Sequence, residues 1–273
     1  MSRFSLVALF LLALHLSKFA TAAINCPGDS KNEFKSVVKI IREYGDEDRH
    51  CTGTVLKGGC FILTAGHCVE CKEAKGKACL PSKFKIKSGV HSNHDLGKVS
   101  DVYLDNDFVM FEKNDVALLK LTKCTDDGME IDFTPLDSSQ EVSVGGYGVI
   151  KLNSFTSQPT RHMGKNKVVK FDRQKLCLGE VIVDADSKTV IGGSKNCQPV
   201  GQDSGSPLVQ KNHVYGVYIS NVQTWRDDGT TKTQGCYANL RDPNIKSFIE
   251  ETLSLSKAST NKNQDSRNNP AVR

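Results

Sequence analysis

Three short strings hold residue types that can do acyl-transfer chemistry together. His67 stands in Thr64-Ala65-Gly66-His67-Cys68, and Asp115 in Asn114-Asp115-Val116-Ala117-Leu118-Leu119. Ser204 stands in Gly201-Gln202-Asp203-Ser204-Gly205-Ser206-Pro207-Leu208. A serine hydroxyl is a weak nucleophile near neutral pH and needs a neutral imidazole to take its proton. The imidazole in turn needs a buried carboxylate to fix its tautomer and to stabilise the imidazolium. Taken singly, each residue has an ordinary reading. An aspartate opening an apolar strand is a turn residue, and a lone histidine is structural or exposed. His50, His91, His94, His162 and His213 are read in that way. His67, Asp115 and Ser204 differ because their three contexts occur together, in the chain order His, Asp, Ser.

The elements that must carry them are mainly strands. Short apolar or alternating runs recur at 36–41, 53–56, 60–64, 83–88, 108–112, 116–121, 141–147, 168–171, 181–183, 206–210, 214–220 and 235–240. Gly, Asn and Asp clusters separate them, a spacing that predicts a β-barrel or sandwich. No internal repeat is evident. One helix is predicted over 243–255. Asp242 caps it, Pro243 suits its first turn, and Ile245, Phe248, Ile249 and Leu253 repeat at helical spacing. Residues 256–273 turn polar, lack core formers and are expected to be disordered.

The chain has 273 residues, of which 38% are hydrophobic and 25% charged, an ordinary globular composition. Residues 1–23 stand apart. Arg3 precedes an apolar run from Leu6 to Leu14, and Ala20-Thr21-Ala22 has the small-residue spacing of a signal-peptidase site. This reads as a secretory leader and predicts a secreted, extracellular protein. No later stretch has the apolar length of a membrane span. The net charge of +5 falls to +3 once Arg3 and Lys18 leave with the leader. That is mildly basic and makes no case for nucleic acid. The lysine-rich segment 72–87 reads as a solvated surface loop, with an acidic-partner patch as the alternative.

In an oxidising compartment the ten cysteines read as up to five disulfides. Cys68-Val69-Glu70-Cys71 has zinc-like spacing, but a structural zinc site needs four ligands. No metal, no cofactor, no nucleic acid and no membrane partner is expected, and nothing signals an oligomer, so a monomer is the expectation.

The three strings, in His–Asp–Ser order, resemble the trypsin/chymotrypsin family of secreted serine peptidases. Subtilisin-like enzymes and α/β-hydrolases use other orders. The resemblance covers about 36–253. It implies an all-β fold of two six-stranded antiparallel β-barrels with the active site between them and a C-terminal helix. The domain would span 24–255, with a first barrel over about 24–130, a second over about 131–241, and a connection near 125–134. His67, Asp115 and Ser204 would be the catalytic set, with the backbone N–H groups of Gln202 and Ser204 as the oxyanion hole. The implied function is that of a serine endopeptidase, with a protein or peptide substrate and, as a further partner, a protein inhibitor. A catalytically weak or inactive homologue acting as a binding or regulatory module is the alternative.

The same resemblance carries the remaining expectations. Cys51 and Cys68 look like the family's disulfide flanking the catalytic histidine. Cys60, seven residues before His67, and Cys124, nine after Asp115, would face each other on the strands leading from the catalytic pair. Cys71–Cys79 would close a local loop, Cys197–Cys236 would brace the specificity pocket, and Cys26–Cys177 is the remainder. Gln198 falls at the family's pocket base, with Ser220, Val222 and Gly235 as walls; Val222 would narrow the pocket and Gly235 keep it open, predicting small or medium uncharged residues at the cleavage site. Two departures stand out. Gln202 occupies a position where the family has glycine, and the usual activation sequence is absent. In the family a new N-terminal amine pairs with the aspartate before the serine, here Asp203. Cleavage after Ala23 would supply such an amine on Ile24, whereas cleavage after Ala22 would leave the amine in solvent.

Overall fold

Nineteen strands, two α-helices and a 3-10 turn at Pro81–Lys83 form among the residues that the computed structural model describes, 23–44, 47–149, 159–184, 190–193 and 196–265. Of the expected leader, 1–23, residues 1–22 lie outside the described residues, as does the end of the expected tail, 266–273. The first half holds β1 (Val37–Tyr44), β2 (Glu47–Val55), β3 (Phe61–Thr64), α1 (Gly66–Val69), β4 (Glu70–Cys71), β5 (Ala74–Ala78), β6 (Phe84–Ser88), β7 (His94–Gly97), β8 (Val99–Leu104) and β9 (Ala117–Leu121). The second holds β10 (Glu130–Ile131), β11 (Val142–Gly146), β12 (His162–Asn166), β13 (Val168–Phe171), β14 (Lys175–Leu178), β15 (Val181–Val183), β16 (Val190–Gly193), β17 (Pro207–Gln210), β18 (His213–Trp225), β19 (Thr231–Asn239) and α2 (Pro243–Asp265).

Two curled sheets result. One has seven strands in the order β7-β6-β1-β2-β3-β9-β8, and the other has ten, built on β12-β11-β17-β18-β19-β14-β13. The two-barrel all-β architecture is therefore present, with seven and ten strands rather than six and six. Pairing is antiparallel except for the short β10, which runs parallel to β18. The lysine-rich segment is not a plain loop: β4 and β5 form a small hairpin, and β6 alternates buried Phe84 and Ile86 with Lys85 and Lys87. Lysines on the outer face of a strand satisfy the solvated side of a period-2 pattern. The run 108–112, expected as a strand, is instead a turn closed by the isolated bridge Val109↔Lys113.

Each half has its own apolar core, around Val38, Ile40, Ile62 and Leu119 in the first and Val144, Leu178, Leu208 and Tyr237 in the second. A third cluster joins them. Leu56, Phe61, Leu63 and Leu118 from the first half pack with Val214, Val217, Leu240, Ile245 and Ile249 from the second half and α2. Burial of this shared face is what sets the relative position of the two halves. Asp242 caps α2 by accepting the Asn244 N–H at 2.9 Å. The helix runs to Asp265, beyond the expected end at 255. No Gly or Pro interrupts 244–265, and extending an existing helix fixes one residue per added bond.

Residues 24–36, grouped with the first barrel in the sequence reading, run along the second. Ile24 bridges Gln198 and Gly28 bridges His162. Arg161, fully buried, donates to Asp29 Oδ2 at 2.7 Å, to Asn32 Oδ1 at 2.6 Å and to the Val37 carbonyl at 2.9 Å. A buried guanidinium spread over this many acceptors holds the segment in place.

Candidate active site

His67 sits in the single turn of α1, directly after β3, and its side chain is 11% exposed. The register Thr64↔Ala117 brings the end of β3 beside the start of β9, where Asp115 lies two residues upstream. His67 Nδ1 is 2.9 Å from Asp115 Oδ2 and 3.1 Å from Oδ1. The buried Asp115 carboxylate also accepts the backbone N–H of His67 at 2.9 Å and of Phe111 at 2.8 Å. Two main-chain donors fix the carboxylate in place, and an Nδ1–H donating to it leaves Nε2 as the ring nitrogen able to accept a proton. Asn114 reaches the left-handed φ of +50° needed to aim Asp115, steadied by its side chain donating to Asp105 Oδ1.

Ser204 lines the same cleft, a cavity of about 960 Å³ that also carries His67, Phe111, Gln202 and the Cys51–Cys68 bridge. Its carbonyl accepts the Thr52 N–H at 2.8 Å, linking the serine turn to β2. Gly205 has φ +86°, and a Cβ there would stand 2.1 Å from the Thr52 oxygen, so no larger residue fits. No hydrogen bond joins Ser204 Oγ to His67 among the described residues. Such contacts are often long before substrate binds. The Ser204 N–H has no acceptor among the described residues either, as an oxyanion donor requires. Gln202 takes φ +66°, the left-handed region that glycine enters freely and a side chain enters at a cost of about 1 kcal/mol or more.

Asp203 is fully buried behind the serine. Its carboxylate accepts the Gly148 N–H at 2.8 Å and the Val200 N–H at 3.0 Å. Burial nevertheless pushes it up to about 7, the two backbone donors opposing the shift.

The pocket residues are arranged differently from expectation. Gln198 is fully buried, and its Nε2 donates to the carbonyls of Gly179 at 3.0 Å and Thr233 at 3.2 Å. Gly235 does not keep a wall open: a Cβ there would meet Gln198 Oε1 at 3.0 Å and Pro199 Cγ at 3.2 Å. Val222 does not narrow the pocket, because it is 56% exposed. Side chains alternate along β18, so the inward residue is its neighbour Asn221, whose Nδ2 donates to the Pro199 carbonyl at 3.0 Å and to Thr233 Oγ1 at 3.2 Å. Ser220, half-buried, lines the main cleft instead. Tyr218, fully buried, closes the set with its hydroxyl on Asn221 Oδ1. Asn221, Gln198 and Tyr218 together fill the space between residue 199 and β19.

Five disulfides form and no described cysteine is free. Cys51–Cys68, Cys60–Cys124 and Cys71–Cys79 are bonded. The remaining four are exchanged relative to expectation: Cys26 pairs with Cys197 and Cys177 with Cys236. Sheet register explains it. Cys177 and Cys236 are direct partners across β14 and β19, and the Ile24↔Gln198 bridge carries Cys26 to Cys197. Phe111 went unnoticed in the sequence, and Asn221 was passed over between Ser220 and Val222 in the expected pocket wall. Phe111 lies in a run that reads as a strand, yet its ring sits 4.7 Å from the His67 ring. Nothing in the composition around either residue marks it.

A histidine, a buried carboxylate and a serine at the seam of two curled β-sheets define a chymotrypsin-like class of fold. The Trypsin family model matches residues 26–248, and the chain belongs to that family. Among solved structures, the scabies mite inactivated protease paralogue S-D1 is 16% identical with a TM-score of 0.62, over 85% of this chain and 97% of that one. GrC is 19% identical with a TM-score of 0.59, over 85% and 99%. The scabies mite inactivated protease paralogue S-I1 is 21% identical with a TM-score of 0.56, over 81% and 95%. At these identities the likeness is one of fold.

Proposed function

We propose that this chain is a secreted serine endopeptidase. Ser204 Oγ attacks the scissile carbonyl while His67 Nε2 takes its proton. Asp115 holds the imidazole and stabilises the imidazolium. The backbone N–H groups of Gln202 and Ser204 receive the oxyanion. His67 then returns the proton to the leaving amine, and an acyl-enzyme on Ser204 remains for water to hydrolyse. The observation that carries this reading is the buried Asp115 carboxylate, bonded to His67 Nδ1 and to two main-chain N–H groups. Five disulfides and the leader-like residues 1–23 support secretion.

Asn221 and Gln198 in the primary pocket support a preference for very small residues, glycine or alanine, at the cleavage site. The same filling favours a second reading, a non-catalytic homologue that binds partners through its cleft. A fluorophosphonate separates the two. The peptidase reading expects Ser204 to be labelled, with labelling abolished in Ser204→Ala. A folded protein that resists the reagent is the homologue.

A further inference from the structure

We propose that Phe111 and Lys175 are positioning residues for the His67–Asp115 pair. Lys175, reaching over from the second sheet, latches a strained turn whose Phe111 N–H fixes the Asp115 carboxylate. This rests on the peptidase reading above and gives that same site a tuning device. Asp115 Oδ2 is the carboxylate oxygen nearer to His67 Nδ1, at 2.9 Å. Phe111 is its only main-chain donor among the described residues, at 2.8 Å, because the His67 N–H goes to Oδ1.

Phe111 reaches that oxygen in a conformation it does not favour. Its φ is +61°, and Asn114, three residues on, has φ +50°. A bulky side chain rarely enters this left-handed region, and stays there only where its surroundings over-determine it. Burial of the ring is not the reason, since Phe111 is 44% exposed. The turn closes on either side of it. Val109 and Lys113 exchange N–H bonds to each other's carbonyls at 2.8 and 3.0 Å, and Asp107 N–H and Asn114 Nδ2 both donate to Asp105 Oδ1. None of these bonds touches Phe111. Its carbonyl accepts from Lys175 Nζ at 3.0 Å, across 64 residues of sequence. Lys175 is well anchored: it opens β14 opposite Ala238 on β19, and its own N–H donates to Asp172 Oδ1 at 2.6 Å. One end of Phe111 is therefore held by the second sheet while the other serves the carboxylate of the first.

The chemistry follows from what an N–H does to a carboxylate. A donor on Oδ2 offsets part of the negative charge that would otherwise act on the imidazolium. With Phe111 in place, His67 gives up its proton at lower pH, and neutral imidazole is the form that can act as base toward Ser204. If the latch is released, the turn relaxes out of the left-handed region, Oδ2 loses its donor, and His67 stays protonated to higher pH. The other charges around the pair are a constant background: Glu112 in the turn, Arg42 on β1, the charged run 47–50 on β2, and Asp203 beside Ser204.

The test follows fluorophosphonate labelling of Ser204, and in parallel the His67 ring protons by NMR, between about pH 5 and pH 9, which spans the ordinary histidine range. Lys175→Met is expected to raise both midpoints by about half a pH unit or more, as loss of a donor to the carboxylate predicts. Lys175→Arg keeps the cation and the donor and should leave them in place. Removing a cation could by itself raise the midpoint, so the deciding variant is Phe111→Gly combined with Lys175→Met. Glycine takes φ +61° without strain and needs no latch. It is expected to reverse most of the shift, although the lysine charge is still missing. A midpoint unmoved in Lys175→Met overturns the inference, as does a shift that glycine leaves intact. A labelling rate lowered equally at every pH assigns Lys175 to folding stability alone and overturns it too. If Ser204 is labelled in no form, the peptidase reading fails, and the His67 midpoints still decide the latch.

Discussion

Asp115 and Asn221 mark two kinds of residue in this protein. Asp115 is buried and accepts from His67 Nδ1 and two main-chain N–H groups, surroundings that match the role proposed for it. Asn221 fills a pocket and speaks for specificity only through what it excludes. Its amide bonds two groups on facing segments, and each such bond contributes about 1 kcal/mol. Asn221→Gly should open the space beside Gln198 and shift a peptide-library profile from glycine and alanine toward larger apolar residues. The cost is on the order of 1–3 kcal/mol, from polar groups left unpaired. A variant that folds, cleaves and keeps the same profile would refute the assignment of Asn221 to specificity. Gln202 shows the limit of residue-level reading. It looks like a defect in the sequence, yet the left-handed backbone that glycine provides is reached here by glutamine.

At the level of elements, the cysteines carry the lesson. Cys51–Cys68 was legible because both partners lie in strings beside His67. The pairs involving Cys26, Cys177, Cys197 and Cys236 were not, because pairing there depends on which strands are neighbours. β14 lies beside β19, far from it in sequence, and the N-terminal segment crosses to the second sheet. Loop entropy makes the two kinds of bridge unequal. Cys26–Cys197 closes a separation of 171 residues and Cys71–Cys79 one of 8. Chain-entropy arguments then give about 5 kcal/mol for the first and about 2.5 for the second. Replacing Cys26 and Cys197 with serine should lower the denaturation midpoint roughly twice as far as replacing Cys71 and Cys79. Equal losses would mean that the N-terminal segment stays docked without its bridge, through the Arg161–Asp29 pair.

At the scale of the whole molecule, Asp203 ties the segment after β11 to the serine turn. Burial lifts the Asp203 carboxyl to about 7, above its usual value near 4. The folded state then binds that proton more tightly than the unfolded state. Stability from this group is full below pH 4 and falls as pH rises to 7, by on the order of 4 kcal/mol. The Gly148 and Val200 N–H groups that face it oppose the shift without cancelling it, and burial keeps Tyr218 and Tyr237 well above their ordinary range. Urea unfolding at pH 5 and pH 7.5 reads this decline directly, and equal contributions of Asp203 at the two pH values, judged against Asp203→Asn, would refute it.

By itself the sequence determined the class of fold and brought out a candidate catalytic set. His67, Asp115 and Ser204 were recognisable because catalysis demands particular residue types in short local contexts, and alternating runs expose strands for the same local reason. Only the tertiary structure decided which cysteines pair, that Asn221 rather than Val222 faces the pocket, and that the Ile24 nitrogen is committed to the Gln198 carbonyl. Each of these depends on register, where a shift of one residue turns a side chain to the other face or moves a nitrogen out of reach. Register is set by the burial of whole faces across distant strands, and no short string records it.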